Sequence, residues 1–267
     1  MNRGGNDSPY ILSGHKVTMQ FGGLVALRQV DFAVARYGIM GLIGPNGAGK
    51  TTLFNCITGN HRPTSGEIRF QEIGIGSLPP YRITRLGIAR TFQNIRLFKE
   101  MSVLDNVLVG MHIQIKQGIS DVLFKTKRFS EDEQNKAEKA DQLLEISGLI
   151  DARSELAKNL PYGAQRRLEI ARALATEPAL LLLDEPTAGM NLNETDALID
   201  FIHLIKDRFN LTILLIEHDM KFVMGLCEKI MVLDHGQKIA EGPPGEIQDN
   251  EAVIEAYLGR GMARAEA

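Results

Sequence analysis

The spacing of apolar residues changes character along this chain. Between residues 11 and 34, apolar and polar positions alternate in two short stretches, Val17-Thr18-Met19-Gln20-Phe21 and Val30-Asp31-Phe32-Ala33-Val34, with Gly22-Gly23 between them. Alternation of period two around a glycine pair predicts antiparallel strands with one face in water. Ile39-Met40-Gly41-Leu42-Ile43 is apolar throughout, which predicts a strand buried on both faces. Residues 44–49 read as a loop and residues 50–58 as a helix.

From residue 103 to 149 the pattern is helical. Within 129–144, Ala137, Ala140, Leu143 and Leu144 fall on one side, and the mixed charges around them read as a solvated face. Residues 165–176 predict another helix, with Leu168, Ile170, Ala171 and Leu174 as its apolar set. Short apolar strands return at 180–183, 212–216 and 229–233, alternating with helical segments. That is the rhythm of an α/β fold built on a mostly parallel sheet. The last residues, 260–267, are expected to fray.

Bulk properties narrow the picture. The 267 residues suit one large domain, or a domain with a subdomain, and can bury a sizeable core. A net charge of −3 argues against a wide nucleic-acid-binding face. Cys56 and Cys227 lie far apart and in no metal-like spacing, which reads as a reduced, cytosolic protein without a disulfide framework. Residues 1–9 are polar and lack the apolar core of a signal peptide. The longest apolar runs, 180–183 and 211–216, fall far short of the roughly 20 residues that cross a bilayer. Any work at a membrane would need other subunits to supply the spans.

One motif anchors the chemistry. Gly44-Pro45-Asn46-Gly47-Ala48-Gly49-Lys50-Thr51 matches the phosphate-binding loop pattern in full. Its glycines let backbone N–H groups wrap a phosphate, and the helix starting near Lys50 adds the positive end of its dipole. Lys50 can reach the β- and γ-phosphates, the Thr51 hydroxyl can ligate Mg²⁺, and Thr52 follows it in the loop. From ordinary residue frequencies, a chance match in a chain this long is on the order of one in a hundred. Leu180-Leu181-Leu182-Leu183-Asp184-Glu185-Pro186 supplies the second part: a buried strand that delivers two acids at its C-terminal end, where α/β sites form. Asp184 is the candidate holder of Mg²⁺, and Glu185 the group that orients and deprotonates the attacking water.

Taken together, these motifs resemble the ABC ATPase family over about residues 10–259. The resemblance implies a P-loop NTPase fold of α/β class, with a RecA-like core on a mostly parallel sheet, an N-terminal antiparallel β-subdomain and an α-helical subdomain. It implies a flexible tail at 1–9, one ABC ATPase domain at 10–259 with the helical subdomain inserted at 95–160, and a second tail at 260–267. Gln93, in Thr91-Phe92-Gln93-Asn94, looks like the family's glutamine that senses Mg²⁺ and the lytic water. His218, in Ile216-Glu217-His218-Asp219, looks like the histidine that contacts the γ-phosphate. Phe21 resembles the aromatic that stacks on adenine, a place in the strand core being its other reading.

The segment Leu160-Pro161-Tyr162-Gly163-Ala164-Gln165-Arg166-Arg167 stands where the family has L-S-G-G-Q. Pro161, Tyr162 and Ala164 replace its serine, first glycine and glutamine, so backbone N–H groups at Gly163 and the helix start are what remain to bind ATP in trans. Ala188-Gly189-Met190-Asn191 likewise stands where S-A-L-D is common. These departures resemble one branch, the ATP-binding subunits of high-affinity branched-chain amino-acid importers. So do Phe21-Gly22-Gly23, Leu53-Phe54-Asn55-Cys56, Arg96-Leu97-Phe98 and Ala256-Tyr257-Leu258-Gly259. That branch implies ATP and Mg²⁺ as ligands, a second ATPase subunit, two membrane permease subunits, an external solute-binding protein, no nucleic acid, and a place on the cytoplasmic face of the inner membrane. Urea import and lipopolysaccharide export are the alternative cargoes. An ABC ATPase acting on ribosomes or DNA, and a module that binds nucleotide without hydrolysing it, are the readings outside that class.

Overall fold

A computed structural model of the chain describes residues 8–111 and 127–257, with side chains between 127 and 133 outside the description. Two long strands, β1 (Tyr10–Phe21) and β2 (Leu24–Ala35), form the predicted hairpin, closed by Gly22-Gly23 with Phe21 paired to Leu24. The buried strand β3 (Ile39–Ile43) runs into the loop and then α1 (Lys50–Ile57). Next come β4 (Ser65–Phe70), β5 (Ile73–Gly74), α2 (Pro80–Leu86) and β6 (Ile88–Arg90). The helical stretch contains α3 (Val103–Met111), α4 (Lys127–Ile146) and α5 (Tyr162–Leu174). The chain then passes through β7 (Leu180–Asp184), α6 (Leu192–Phe209), β8 (Thr212–Ile216), α7 (Met220–Leu226), β9 (Lys229–Asp234), β10 (Gln237–Gly242) and α8 (Pro244–Gln248).

Two sheets result. The first is antiparallel, in the order β2-β1-β4-β5. The second is ordered β10-β9-β3-β8-β7-β6 and is parallel except for the β9–β10 hairpin. Its strands β3, β7 and β8 are buried at every position because both faces are covered. Ile39 and Ile43, Leu181 and Leu183, and Ile213 and Leu215 point to a core shared with α3, α4, α5 and α6. The alternate residues Met40 and Leu42, Leu180 and Leu182, and Leu214 and Ile216 point to a second core shared with α1 and the first sheet. Period-two alternation thus splits one continuous apolar run between two cores.

Among the elements that differ from the sequence reading or were missed by it are α5, β4 and β6. α5 starts at Tyr162 rather than at 165, because Pro161 lacks an N–H and fits the N-cap with extended backbone. β4 escaped notice because only Ile68 and Phe70 of its six residues are buried. β6 is three residues long and gives no period at all, yet it forms the edge of the main sheet beside β7. The predicted helical pattern of 103–149 is interrupted by residues outside the description, as are the predicted tails at 260–267 and most of 1–9.

Candidate active site

The register of the parallel strands brings distant segments to one edge. Leu42 of β3 pairs with Ile216 of β8, and Ile216 pairs with Asp184 of β7. The residues that follow these strands, Gly44 onward, Glu185 and Glu217-His218, therefore emerge together at the C-terminal ends, where open α/β sheets place their sites.

The phosphate loop is shaped by backbone. Gly44 and Gly49 have φ of 147° and 103°. A Cβ at Gly44 would lie 2.0 Å from the carbonyl oxygen of Leu233, and one at Gly49 would lie 2.6 Å from that of Ala26. No L side chain fits either place without moving backbone. Lys50 is buried, and its ammonium donates to the carbonyls of Gly44 at 2.7 Å and Pro45 at 3.1 Å, folding over its own loop. The loop residues Asn46, Gly47, Ala48, Gly49, Lys50, Thr51 and Thr52 line a cleft of about 670 Å³, with Phe21 and Glu185 also in its wall. Phe21 is 43% exposed and meets His61 edge-on at 5.2 Å, so of its two readings the strand-core one is excluded.

At the end of β7, Glu185 has a φ of 45°, a left-handed conformation that is rare for a residue with a side chain. The turn aims its carboxylate at two other candidates. Gln93 Nε2 donates to Glu185 Oε2 at 2.6 Å, and His218 Nδ1 lies 3.7 Å from the same oxygen. Two residues from distant segments of the sequence thus converge on one carboxylate. Asp184 is buried and accepts from Arg90 at 2.6 Å. Sequence reasoning gave Arg90 no role. Its guanidinium also donates to Asn55 of α1 at 2.8 Å and lies between the rings of Phe54 and Phe92. Nothing local to Arg90 signals this, since its partners stand 35 and 94 positions away.

The segment carrying Gln93 is held from α5. Arg166 is wholly buried and donates to the backbone carbonyls of Phe92 at 2.7 Å and Gln93 at 2.8 Å. Glu169, one turn on, pairs with Arg166 at 2.8 Å and accepts from the backbone N–H of Arg96 at 3.1 Å. Burial pushes the Glu169 carboxyl up, while the Arg96 N–H and the Arg166 and Arg172 charges act against that rise. The short helix-internal pair was visible in sequence as a spacing of three, but its target was not.

Gly163 lies in the first turn of α5, packed against the side chain of Glu194 rather than in the phosphate cleft. Tyr162, beside it, is 40% exposed, and its ring lies 3.6 Å from where a Cβ at Gly189 would stand. Within one chain the structure therefore joins the phosphate loop, Glu185, Gln93 and His218, and leaves Gly163 apart.

A phosphate loop closing one buried strand, with paired acids closing another of the same sheet, defines a P-loop ATPase. The ABC transporter family profile matches residues 27–188, and a profile described as branched-chain amino acid ATP-binding cassette transporter matches residues 237–263. The chain belongs to the ABC transporter family of ATP-binding, ATP-hydrolysing cassettes. It is 47% identical to the high-affinity branched-chain amino acid transport ATP-binding protein LivG of Salmonella typhimurium, over 93% of this chain and 98% of that one. The corresponding protein BraF of Pseudomonas aeruginosa matches at the same identity and coverage. A lipopolysaccharide export system ATP-binding protein, LptB, of Acidithiobacillus ferridurans is 35% identical over 88% of this chain and 91% of that one. Among solved structures, the ADP conformation of an ATP-binding cassette of an ABC transporter superposes with a TM-score of 0.82 at 32% identity, covering 94% of this chain and all of that one. Membership implies a nucleotide ligand and work within an assembly that includes permease subunits and a second cassette. Among the described residues no helix is long and apolar enough to cross a membrane.

Proposed function

We propose that this chain hydrolyses ATP to drive import of branched-chain amino acids across the cytoplasmic membrane, working on its cytoplasmic face. The observation that carries the chemistry is the convergence of Gln93 and His218 on the carboxylate of Glu185 at the edge of the phosphate cleft. Glu185 acts as the base toward water, Gln93 holds it in place, and His218 stands where the γ-phosphate of the substrate would come. Lys50 leaves its loop carbonyls to meet the β- and γ-phosphates, while the loop N–H groups, Thr52 and Phe21 hold the rest of the nucleotide.

Mg²⁺ fits this site. Among the described residues no cluster of His, Cys, Asp or Glu is arranged to hold a metal by itself. A hard cation that keeps waters and shares phosphate oxygens asks for only one or two protein ligands. Thr51 and Gln93 would be those ligands, and Asp184 would act through water. When bound, Mg²⁺ neutralises charge on the phosphates. Arg90 fixes the Asp184 carboxylate for that role.

The cargo reading is supported by the relatives at 47% identity and by the branched-chain profile over residues 237–263. The altered segment around Tyr162 and Gly163 supports a pair formed with a distinct second cassette, each segment meeting the other's nucleotide, with two permeases and, indirectly, an external solute-binding protein. Residues 10–259 act as the ATPase domain in this account, and 95–160 as its docking part. In the assembled transporter, Glu185→Gln should bind ATP as wild type does and lose turnover by about 10²- to 10⁴-fold, the usual contribution of a positioned base. Uptake of labelled leucine, isoleucine and valine should fall with it. Turnover near wild type would remove Glu185 from this role. Normal leucine uptake in cells lacking the chain would remove the cargo.

A further inference from the structure

Glu217 precedes His218 and lines no part of the phosphate cleft, yet it is completely buried. Its two carboxylate oxygens serve two different turns. Oε1 accepts from the backbone N–H of Thr187 at 3.0 Å and, in a short hydrogen bond, from the Thr187 hydroxyl. Oε2 accepts from the backbone N–H groups of His218 at 2.9 Å and Asp219 at 3.3 Å. Thr187 belongs to the turn that follows Glu185, and His218 and Asp219 begin the turn that follows β8. A single side chain thus bridges the segment carrying Glu185 to the segment carrying His218.

The arrangement is chemically specific. A buried carboxylate is costly unless donors satisfy both oxygens. Here four donors do so, divided two and two. Nδ1 of His218 also faces both acids, at 3.7 Å from Glu185 and 3.6 Å from Glu217. Glu185 is held in its left-handed turn by its own N–H bonding to the carbonyl of Ile216, the residue before Glu217. The two turns are therefore fastened to each other twice, once through backbone and once through Glu217.

We infer that Glu217 is a positioning residue that holds Glu185 and His218 in mutual register for hydrolysis. The inference rests on the catalytic reading of those two residues given above. Glutamine keeps the shape but offers a single oxygen, so its NH₂ must face donors at one of the two turns. That turn loses its acceptor and opens.

The test compares wild type with Glu217→Gln, Thr187→Val and their double variant in the assembled transporter. Turnover and ATP affinity are measured separately, along with amide exchange at Thr187, His218 and Asp219. For Glu217→Gln we expect kcat to fall at least tenfold, KM for ATP to stay within about twofold, and exchange to quicken at one or both turns. The double variant should lose less than the product of the single losses, because both substitutions remove the same bond. Unchanged exchange, unchanged kcat despite faster exchange, or equal losses in kcat and ATP binding would each overturn the inference. Glu185→Gln run alongside separates the two ideas. If that variant stays active, the base reading fails, while the exchange data still decide whether Glu217 joins the turns.

Discussion

The phosphate loop and the Gln93 segment are both functional loops, and they are held in opposite ways. The loop after β3 is fixed by its own backbone. Gly44 and Gly49 occupy conformations and spaces that exclude a Cβ, and its one long side chain, Lys50, bonds back to the loop's own carbonyls. The Gln93 segment has no such internal geometry. It is held from outside by Arg166 on two carbonyls and by Glu169 on the Arg96 N–H, a buried ion pair more than 70 residues further along the chain. A loop held by its own dihedrals keeps its shape wherever the rest of the domain goes. A loop held by a neighbouring helix moves when the helix moves, and α5 is the helix whose first turn holds Gly163, the residue proposed above to meet a partner's nucleotide. The pair Arg166–Glu169 therefore connects the first turns of α5 to the glutamine that meets Glu185.

The largest effect that tests this contrast is on Lys50. Lys50→Ala removes the one side chain of the loop that can reach the phosphates and leaves the glycine geometry intact. Loss of charge-assisted hydrogen bonds worth about 3 kcal/mol together should weaken ATP binding about a hundredfold or more, as read by titration with a fluorescent nucleotide. Tight binding by the variant would contradict the assignment of the loop. Thermal stability should change less than it does for Arg166→Ala, since the glycine geometry of the loop is untouched.

Arg166→Ala should do the reverse. Truncating one partner of a buried pair leaves Glu169 buried with only the Arg172 charge and the Arg96 N–H to compensate it, a loss of up to about 3–5 kcal/mol in similar cases. Chemical denaturation should show that loss. Below the threshold for unfolding, ATP should still bind at the phosphate loop while turnover falls, because Gln93 is no longer held toward Glu185. If Arg166→Ala weakened ATP binding as much as Lys50→Ala does, the two loops would not be independently held and the contrast would fail.

The contrast also explains what could be read from the amino-acid sequence. The β1–β2 hairpin, the buried strands β3, β7 and β8, and the α/β order were legible because each is a local pattern of period or of turn residues. The phosphate loop was legible for the same reason: its glycines sit within eight consecutive positions. Glu185 was legible as one of two acids ending a buried strand, Gln93 and His218 were found through family resemblance, and only the sheet register shows that they meet. Arg90, Arg166, Glu169 and Glu217 were in plain view and given no role. Each acts on a backbone group or carboxylate that sequence distance hides, and a buried charge looks the same as a solvated one until its neighbours are known. Phe21 shows the limit from the other side, since alternation gave it two readings and only its exposure separates them.

The smallest effect concerns how rigid the phosphate-loop helix is. Cys56 lies in α1, fully buried, and burial pushes its thiol from 9.0 to about 11. Only the thiolate alkylates, and a rise of two pKa units leaves about a hundredfold less of it at pH 8. The native chain should therefore react with iodoacetamide at Cys56 at least a hundredfold more slowly than the unfolded chain. The rate should climb about tenfold per pH unit until the pH approaches 11. Cys227, pushed up to about 12 by burial and by the nearby Glu228 and Glu217 charges, should react more slowly still. Mass spectrometry of timed samples reads both sites. If Cys56 reacts at the unfolded rate below pH 9, α1 opens on the timescale of the reaction. A loop whose helix opens that readily is not held by its own backbone, and the difference drawn between it and the Gln93 segment would no longer stand.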